Sequence, residues 1–375
     1  MSQSLKLGTV WTLLIVSLMG RHASAGDLGP PTGPITPTMK PLSVVETRIP
    51  ISDQSAPGDS DSMFVISEPG SYYLAGDIEA VPNKHGITIT ASHVTLDLMG
   101  FSIVGDGSYG RDGVQAVADV ANVTVRNGTV RGWGGDGLDL VMSECSRAEN
   151  IVAAGNSDAG FAVSTRGMIL RCVAQNNAFG ILAFDGSTVV ESNAIDNLAV
   201  GILTNQTALT RCAARDNGSA GIVAGNCTVT ECTASGNGVH GISAGTTTLS
   251  YCTADSNALA GIAGHSGTQI TNCTAFDNDR GIEASDGCAV LQCNARDNGI
   301  GVRVNTLPGH CRVEGNNTVG NEIGIQVQSA DNLVIRNSAS DNETNYDIVS
   351  GNAVGPIVTA ENILTNNKPH ANFEY

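Results

Sequence analysis

The chain has 375 residues with 45 glycines and only 4% aromatic residues, so its core must be built from small aliphatic side chains. That length accommodates two ordinary domains or one elongated repeat domain, and the composition favours the repeat domain. There are 19 Lys and Arg against 36 Asp and Glu, a net charge of −17. This balance excludes binding to nucleic-acid phosphates, because such binding relies on clustered cations.

Residues 1–25 predict a secretory signal peptide. Lys6 supplies the positive charge, residues 7–19 form an apolar stretch, and Ala23-Ser24-Ala25 is a small-residue cleavage site. The apolar stretch is shorter than the roughly 20 residues that span a bilayer. Removing Lys6 and Arg21 with the signal changes the net charge from −17 to −19. We therefore expect a mature chain that is secreted, periplasmic or on the cell surface.

Residues 26–60 are predicted to be a linker, because seven of the chain's twelve prolines fall there and apolar residues follow no regular period. From Met63 onward short apolar runs alternate with Gly or Asp, a pattern typical of strands. We assign residues 61–112 to an N-terminal cap with the first coils and residues 113–375 to a repeat domain.

An internal repeat of 20 to 24 residues is the basis for assigning residues 113–375 to a repeat domain. Its first column is a Gly followed by an apolar residue, at Gly113, Gly137, Gly160, Gly180, Gly201, Gly221, Gly241, Gly261, Gly281, Gly301 and Gly324. Its second column is Cys172, Ser192, Cys212, Cys232, Cys252, Cys273 and Cys293, followed at +2 by Ala and at +5 by Asn in every case. Fixed offsets indicate a rigid corner, whereas the gap from Asn to Gly varies and marks a turn.

Such a repeat predicts a solenoid in which equal positions stack about 4.8 Å apart. Cys and Ala at alternate positions would face the interior, and we expect stacked Asn residues to adopt a left-handed backbone and to bond through their amides. Helical spacing is absent, which excludes leucine-rich and ankyrin-type repeats, and pentapeptide periodicity is absent as well. The best fit is an all-β, right-handed parallel β-helix.

Three motifs carry a resemblance to a known family: Ser67-Glu68-Pro69-Gly70-Ser71-Tyr72-Tyr73-Leu74, the run from Val94 to Phe101, and Asn127-Gly128-Thr129-Val130-Arg131-Gly132-Trp133. With the Gly-Ile repeats, they resemble exported bacterial β-helix repeat proteins of the pectin-lyase-like superfamily over about residues 45–375. The resemblance implies an N-terminal β cap, about twelve coils and carbohydrate-related roles. It does not imply an activity, because this fold hosts enzymes, adhesins and scaffolds alike.

Motifs of the enzymatic relatives are missing. No lysine stands between Lys84 and Lys368 to serve as the base of a lyase, and the Asn-Thr-Asp, Asp-Asp, Gly-His-Gly and Asp-Pro-His runs of hydrolases and epimerases are absent. His residues show no paired ligand spacing, so no metal site is predicted, although the resemblance to lyases leaves Ca²⁺ binding open.

One acidic constellation is a candidate ligand site. Asp112 and Asp136 precede repeat glycines on neighbouring coils, and Asp139 follows on the same strand surface. We expect carboxylates beside an exposed indole to suit a sugar, which stacks on apolar faces while its hydroxyls bond to charged groups. The alternative is a solvated Asp-Gly turn with the indole packed as a loop plug. The flanking members of the candidate site are Arg111, Arg131 and Trp133.

Three further predictions concern the repeat surface and interior. Leu182, Leu203 and Val223 would form a short outward apolar stripe that docks a side loop or a partner. Glu283 and Arg303 would form an ordinary surface ion pair. The ten cysteines would mostly be buried thiols rather than disulfides.

The sequence leaves two functions open, and they belong to different classes. The first is a non-catalytic exported β-helix that binds polysaccharide or a cell-envelope glycan, or serves as a surface scaffold. The second is a carbohydrate-active enzyme of the lyase or epimerase type that uses the region from Asp112 to Asp139.

Overall fold

The computed structural model describes residues 46–117, 119–305 and 309–375. The signal peptide predicted over residues 1–25, and the linker as far as residue 45, lie outside the described residues. In the described part of the chain, no helix is long and apolar enough to cross a membrane.

The described chain winds into a parallel β-helix whose cross-section has three faces. Face 1 is one parallel sheet of 14 strands, one strand from each coil. Its strands are Ser62–Ile66, His85–Ile89, Val114–Ala116, Leu138–Leu140, Ala159–Val163, Phe179–Ala183, Ile202–Asn205, Ile222–Gly225, Ile242–Gly245, Ala260–His265, Arg280–Ala284, Ile300–Val304, Ile323–Val327 and Thr344–Ile348.

The other two faces form a second parallel sheet of 28 strands. The long strands Thr124–Arg131 and Arg147–Ala154 each run across both faces and so join them. Face 2 also contains Ile49–Pro50, Gly70–Tyr73, Val94–Asp97, Met168–Leu170, Thr188–Val190, Ala208–Thr210, Thr228–Thr230, Thr248–Ser250, Gln269–Thr271, Ala289–Leu291, Arg312–Glu314, Leu333–Ile335 and Ala353–Val354. Face 3 also contains Ile78–Glu79, Ser102–Val104, Val173–Gln175, Asn193–Ile195, Ala213–Arg215, Thr233–Ser235, Thr253–Asp255, Thr274–Phe276, Asn294–Arg296, Asn317–Val319, Ser338–Ser340, Ile357–Thr359 and Asn372–Glu374.

The β-helix prediction is confirmed, with 14 coils rather than about twelve. The outermost strands of face 1, Ser62–Ile66 and Thr344–Ile348, lack the Gly-apolar pair, so the sequence repeat does not mark them. The single helix among the described residues is a short 3₁₀ turn, Ile363–Thr365.

The solenoid begins earlier than the linker prediction for residues 26–60 supposed. Ile49–Pro50 pairs in parallel with Tyr72 and Tyr73, and Ala56 is fully buried in the core. Residues Arg48–Tyr375 form one compact unit. The apolar side chains of this short segment therefore belong to the N-terminal end of the solenoid.

The repeat glycines stand where the chain passes closest to the next coil. A Cβ on Gly241 would lie 2.6 Å from both the Asn257 amide nitrogen and the Gly261 carbonyl oxygen. No side chain fits in that space, so glycine recurs there. The apolar residue that follows each glycine points inward, as the fully buried and register-paired Ile242 and Ile262 illustrate.

A ladder of buried asparagines runs along one interior corner, as the sequence predicted. Both the backbone N–H and the amide N–H of Asn237 donate to Oδ1 of Asn257, at 3.1 and 2.9 Å. The same amide also donates to the Ala214 carbonyl at 3.2 Å. Each Asn thus satisfies polar groups on its own and neighbouring coils, which a buried polar side chain requires.

The expectation that the ladder asparagines are left-handed is wrong. The positive φ falls one residue earlier, as at Asp216 (φ 54°) and Gly236 (φ 66°). These positions take Asp, Asn, Ser or Gly, residue types that enter this region at low cost. The ladder Asn is selected for its amide and not for its backbone.

The ten cysteines are free thiols, and nine of them are buried. In the main column Cys252 illustrates the geometry, since its thiol donates to the Ser250 carbonyl at 3.4 Å. Burial raises the pKa of the Cys172 thiol to about 12. The column therefore consists of small, buried core residues without disulfides, as predicted.

Candidate functional site

The candidate carboxylates Asp112 and Asp136 lie on adjacent coils at the edge of face 1. The backbone N–H of Asp136 donates to Oδ1 of Asp112 at 2.7 Å, and the N–H of Ala159 donates to Oδ1 of Asp136 at 2.7 Å. Each carboxylate thus accepts a backbone hydrogen bond from the next coil. The structure brings these two residues together as the sequence predicted.

Asp139 completes a group of three carboxyls on this edge. It lies on the strand Leu138–Leu140 in register with Gln115, and its Oδ1 accepts the N–H of Val141 at 3.1 Å. Burial raises the pKa of Asp139, and the negative charge of Asp112 raises it further. We call these three residues, Asp112, Asp136 and Asp139, the acidic patch.

Asp136 has the most perturbed carboxyl of the patch. Burial raises its pKa to about 7, and the charges of Asp139, Asp112 and Asp158 add to the effect, against the lowering by the Ala159 N–H. Its second oxygen, Oδ2, accepts no hydrogen bond from the described residues. A carboxyl that titrates near neutrality with one free oxygen can accept, donate or transfer a proton.

His85 also belongs to this group, although the sequence reading missed it. Its Nδ1 lies 3.3 Å from Oδ2 of Asp112 and accepts the Asp112 backbone N–H at 3.0 Å. His85 precedes Gly86 just as Asp112 precedes Gly113. Extending the glycine column back by one coil would have found it.

The basic residues of the candidate site do not join the acidic patch. Arg111 lies beside it in the chain, but its described ion pair is with Asp61, at 3.7 Å. Arg131 is exposed at the end of the strand Thr124–Arg131, which belongs to the other sheet. The carboxyls therefore lack the flanking guanidinium groups that the sequence reading supposed.

Of the two alternatives for Trp133, the packed indole is confirmed and the exposed indole is wrong. Trp133 is only 1% exposed, and its Nε1 donates to the Ile103 carbonyl at 3.3 Å. Since Ala154 pairs with Arg131, Trp133 aligns with Asn156 and takes the place of an Asn at the start of the ladder. Its backbone N–H donates to Oδ1 of Asn156 at 3.1 Å. The indole is a packing element and offers no surface to a sugar.

The outward apolar stripe exists and continues from the acidic patch. Asp139, Ala162, Leu182, Leu203 and Val223 are successive register partners on the outer surface of face 1. A parallel column beside them contains the partly buried Phe179 and Val200. Carboxyl and aliphatic side chains therefore follow one another in one outward column of face 1, with the buried Ala162 between Asp139 and Leu182.

Two open surface pockets lie elsewhere in the described part of the chain. An apolar cavity of about 470 Å³ near the C-terminal end is lined by residues including Leu333 and Val354. A more polar one of about 450 Å³ is lined by residues including Val120 and Glu144. The acidic patch lies on an open face, which suits an extended ligand better than a small enclosed one.

The residues do not fit a calcium site. Among the described residues, no group of three or more His, Cys, Asp or Glu side chains is arranged to hold a metal ion. One oxygen each of Asp112, Asp136 and Asp139 is already bonded to a backbone N–H.

Comparisons with known proteins agree with the fold. The model of the right-handed beta helix region matches residues 81–210, 112–247 and 205–318. No curated protein sequence gives a significant match. The A-module of mannuronan C-5 epimerase AlgE4 from Azotobacter vinelandii is similar in structure at 17% identity and a TM-score of 0.53, over 76% of this chain and 90% of that chain.

Two further solved structures are similar at lower scores. A mutant of the periplasmic alginate epimerase AlgG is 12% identical, with a TM-score of 0.49 over 77% of this chain and 82% of that chain. Pectate lyase Pel9A is 16% identical, with a TM-score of 0.36 over 76% of this chain and 73% of that chain. At such identities the likeness concerns the fold alone.

Proposed function

This chain belongs to the right-handed β-helix family, and we propose that it binds a polysaccharide along the outer surface of face 1. The observation that carries the proposal is the register that places the acidic patch and the apolar stripe in neighbouring coils of one outward column of face 1. Sugar rings pack on apolar surfaces through their C–H faces, and carboxylates accept hydrogen bonds from their hydroxyls. A polymer lying on an exposed face needs no enclosed pocket.

The free Oδ2 of Asp136 supports a direct contact with the ligand. Its Oδ1 is held by the Ala159 N–H, so the carboxyl has a fixed orientation before any ligand arrives. A pre-positioned acceptor loses little conformational entropy on binding. Asp139, anchored by Val141, is oriented in the same way.

A panel of alginate, pectate, mannan and cellulose oligosaccharides, screened by array and then titrated, tests the proposal. Asp136→Asn should weaken binding at least about tenfold, because a hydrogen bond to a charged group contributes roughly 1.5–3 kcal/mol. Asp216→Asn is the matched control. Asp216 is an exposed carboxylate at a left-handed turn position, and Asn176 occupies the equivalent position two coils earlier, so the variant should fold and bind normally. Absence of binding to every member of the panel would contradict the proposal.

A carbohydrate-active enzyme is the second candidate, and the perturbed pKa of Asp136 favours it. A carboxyl that titrates at about 7 beside the His85 and Asp112 pair has the protonation behaviour of a general acid or base. Absorbance of unsaturated uronate products and NMR of epimerised sugars would detect lyase and epimerase activity. In an enzyme, Asp136→Asn should lower turnover by roughly a hundredfold or more. In a binding protein, only the affinity should change.

Export of the chain is part of the same proposal. The predicted signal over residues 1–25 would deliver face 1 to a compartment where polysaccharide is accessible. N-terminal sequencing of the mature protein should begin at Gly26. A cytoplasmic protein that still begins at Met1 would contradict export.

A further inference from the structure

The N-terminal end of the solenoid is capped. Pro57 forms an antiparallel bridge to Phe64, on the outer side of the edge strand Ser62–Ile66. The backbone N–H of Asp59 also donates to a carbonyl of this strand, at 3.0 Å. The inward-facing Ile66 is fully buried as a result. The first strand of face 1 therefore offers little free edge to another molecule, as a capped solenoid end requires.

The C-terminal end of the solenoid lacks such a cover among the described residues. The last strand of face 1, Thr344–Ile348, pairs on one side only, with Ile323–Val327. Val327 is fully buried, whereas its register partner Ile348 is partly exposed. The interior column of face 1 therefore opens toward solvent at its last coil.

Face 2 ends in the same way. Val354 is the register partner of the fully buried Val334, yet Val354 is exposed. Of the thirteen large hydrophobic side chains that are exposed in the described chain, six fall between residues 349 and 375, which is far more than an even distribution would place there. They are Val349, Val354, Ile357, Ile363, Leu364 and Tyr375. Such a concentration of apolar side chains is typical of an interaction surface.

This end of the solenoid has both an apolar pocket and an apolar projection. The pocket, of about 470 Å³, is lined by residues including Leu333, Ile335 and Val354. Leu364 projects from the 3₁₀ turn Ile363–Thr365 and is 96% exposed, so it does not fill the pocket of its own chain. We call the surface formed by Leu333, Ile335 and residues 344–375 the open end.

The charge distribution favours contact between two copies at the open end. The whole chain has a net charge of −17, so electrostatic repulsion opposes contact between the sides of two copies. Residues 349–375 contain only three charged side chains, those of Glu361, Lys368 and Glu374. Depletion of charge is characteristic of the core of a protein interface. Two copies of this acidic chain can therefore meet at the open end without strong repulsion.

The cap at the other end decides how a second copy docks. Head-to-tail stacking would set Ser62–Ile66 of one copy against Thr344–Ile348 of the next and would continue into a filament. The bridge from Pro57 already covers the first of these strands. Docking about a two-fold axis instead sets two open ends against one another and closes as a dimer. The pocket of each copy then faces the projecting Leu364 of the other, as the reciprocal contacts of a two-fold interface require.

The last strands of face 1 can pair across the same two-fold axis. Two copies of Thr344–Ile348 run antiparallel there, so the backbone groups on their outer sides can form hydrogen bonds. A register centred on Tyr346 places Asp347 opposite Asn345 of the second copy. No like charges then face one another across the pair of strands.

We propose that the open end is a dimerisation surface, on which two copies of this chain dock tail to tail with Leu364 of each copy in the apolar pocket of the other. The occupant of the open end is thus a second copy of the same chain. The proposal is independent of the ligand of face 1 and adds an assembly to the proposed function. The dimer is an elongated particle roughly twice as long as one solenoid, with the acidic patches toward its two far ends.

Sedimentation equilibrium of the purified protein over a concentration series tests the proposal. The wild type should show twice the mass of one chain, and small-angle X-ray scattering should give a particle roughly twice as long as one solenoid. Leu364→Asp should weaken the dimer at least about a hundredfold, because each dimer contains the change twice and each unpaired charge at the interface costs at least about tenfold. Leu198→Asp is the matched control, since Leu198 is 80% exposed on a middle coil and its replacement should leave the dimer intact.

Val354→Asp is a second variant that should dissociate the dimer, and Val81→Asp is its control, because Val81 is an exposed valine near the capped end. Thermal melting checks that all four variants are folded. A wild type that stays monomeric at every concentration would assign the open end to another occupant and overturn the proposal. A dimer that survives both Leu364→Asp and Val354→Asp would overturn it as well, and so would a series of larger oligomers, which would indicate head-to-tail stacking.

Discussion

The backbone N–H of Asp136 donates to the carboxylate of Asp112 on the preceding coil, at 2.7 Å. Through this bond the two acids are held beside one another on face 1, against the electrostatic repulsion between like charges. Burial and the neighbouring carboxylates raise the pKa of Asp136 to about 7. The fold thus maintains a carboxyl that is half protonated near neutrality on an outward surface.

Asp136→Asn should change the pH dependence of stability. In the wild type, the folded-state pKa of about 7 exceeds the ordinary value of 3.8, so between these pH values the folded state binds more protons than the unfolded state. The contribution of Asp136 to stability therefore falls as the pH rises from about 4 through 7. Asn resembles the protonated acid, so the variant should melt higher than the wild type at pH 8 and equally at pH 4. A melting difference that is independent of pH would contradict the raised pKa.

Trp133→Ala should destabilise the protein by about 3–5 kcal/mol, the usual cost of truncating a buried aromatic side chain. Urea unfolding measures the change. Tyr109→Ala is the control, since Tyr109 is 97% exposed and its loss should cost less than about 0.5 kcal/mol. If Trp133→Ala left stability unaltered and weakened glycan binding, the indole would belong to the ligand site and this prediction would be contradicted.

Asn237→Ala should cost about 1–3 kcal/mol, because it leaves the Ala214 carbonyl and neighbouring ladder groups without partners. Asn237→Gly should be no less harmful, since the left-handed residue is Gly236 and glycine at position 237 gains no backbone advantage. Thermal midpoints of the two variants test this. A clearly milder effect of Gly than of Ala would indicate that residue 237 carries the strained backbone after all.

Alkylation should distinguish one cysteine from the other nine. In the native protein only the exposed Cys145 should react readily, because the other thiols are buried. After denaturation without reductant, all ten should be labelled. Intact mass showing fewer than ten adducts in the denatured sample would reveal disulfides and contradict the free-thiol column.

The periodic part of the structure could be predicted from sequence because stacking repeats each environment. Ile222, Ile242 and Ile262 meet one another in the register that the glycine column indicated. An Asn recurs every coil because its amide bonds to the Asn of the next coil. In such a solenoid, the spacing of a recurring residue type gives the number of residues in each coil.

The candidate site was predictable only where it followed the repeat. Asp112 and Asp136 occupy one column, so their proximity followed from the glycine spacing. Trp133 lies in an irregular early coil, and only its alignment with Asn156 reveals that it faces the interior. The buried environment of Glu283 could not be predicted from the repeat, because its bonds to Arg280 on the same strand and to Asn305 on the next coil leave no periodic signal.

Carbon-13 NMR titration of the Asp136 carboxyl, in the free protein and with the polysaccharide that binds in the panel, tests the central claim most directly. The structure predicts an apparent pKa of about 7 in the free protein, and direct contact with the ligand should shift that titration. Asp216, exposed at the corner that follows the face 3 strand Ala213–Arg215, serves as the internal reference whose carboxyl signal should not change when the ligand is added. A pKa near 4 for Asp136 that does not change on binding would contradict a polysaccharide site built around this carboxyl.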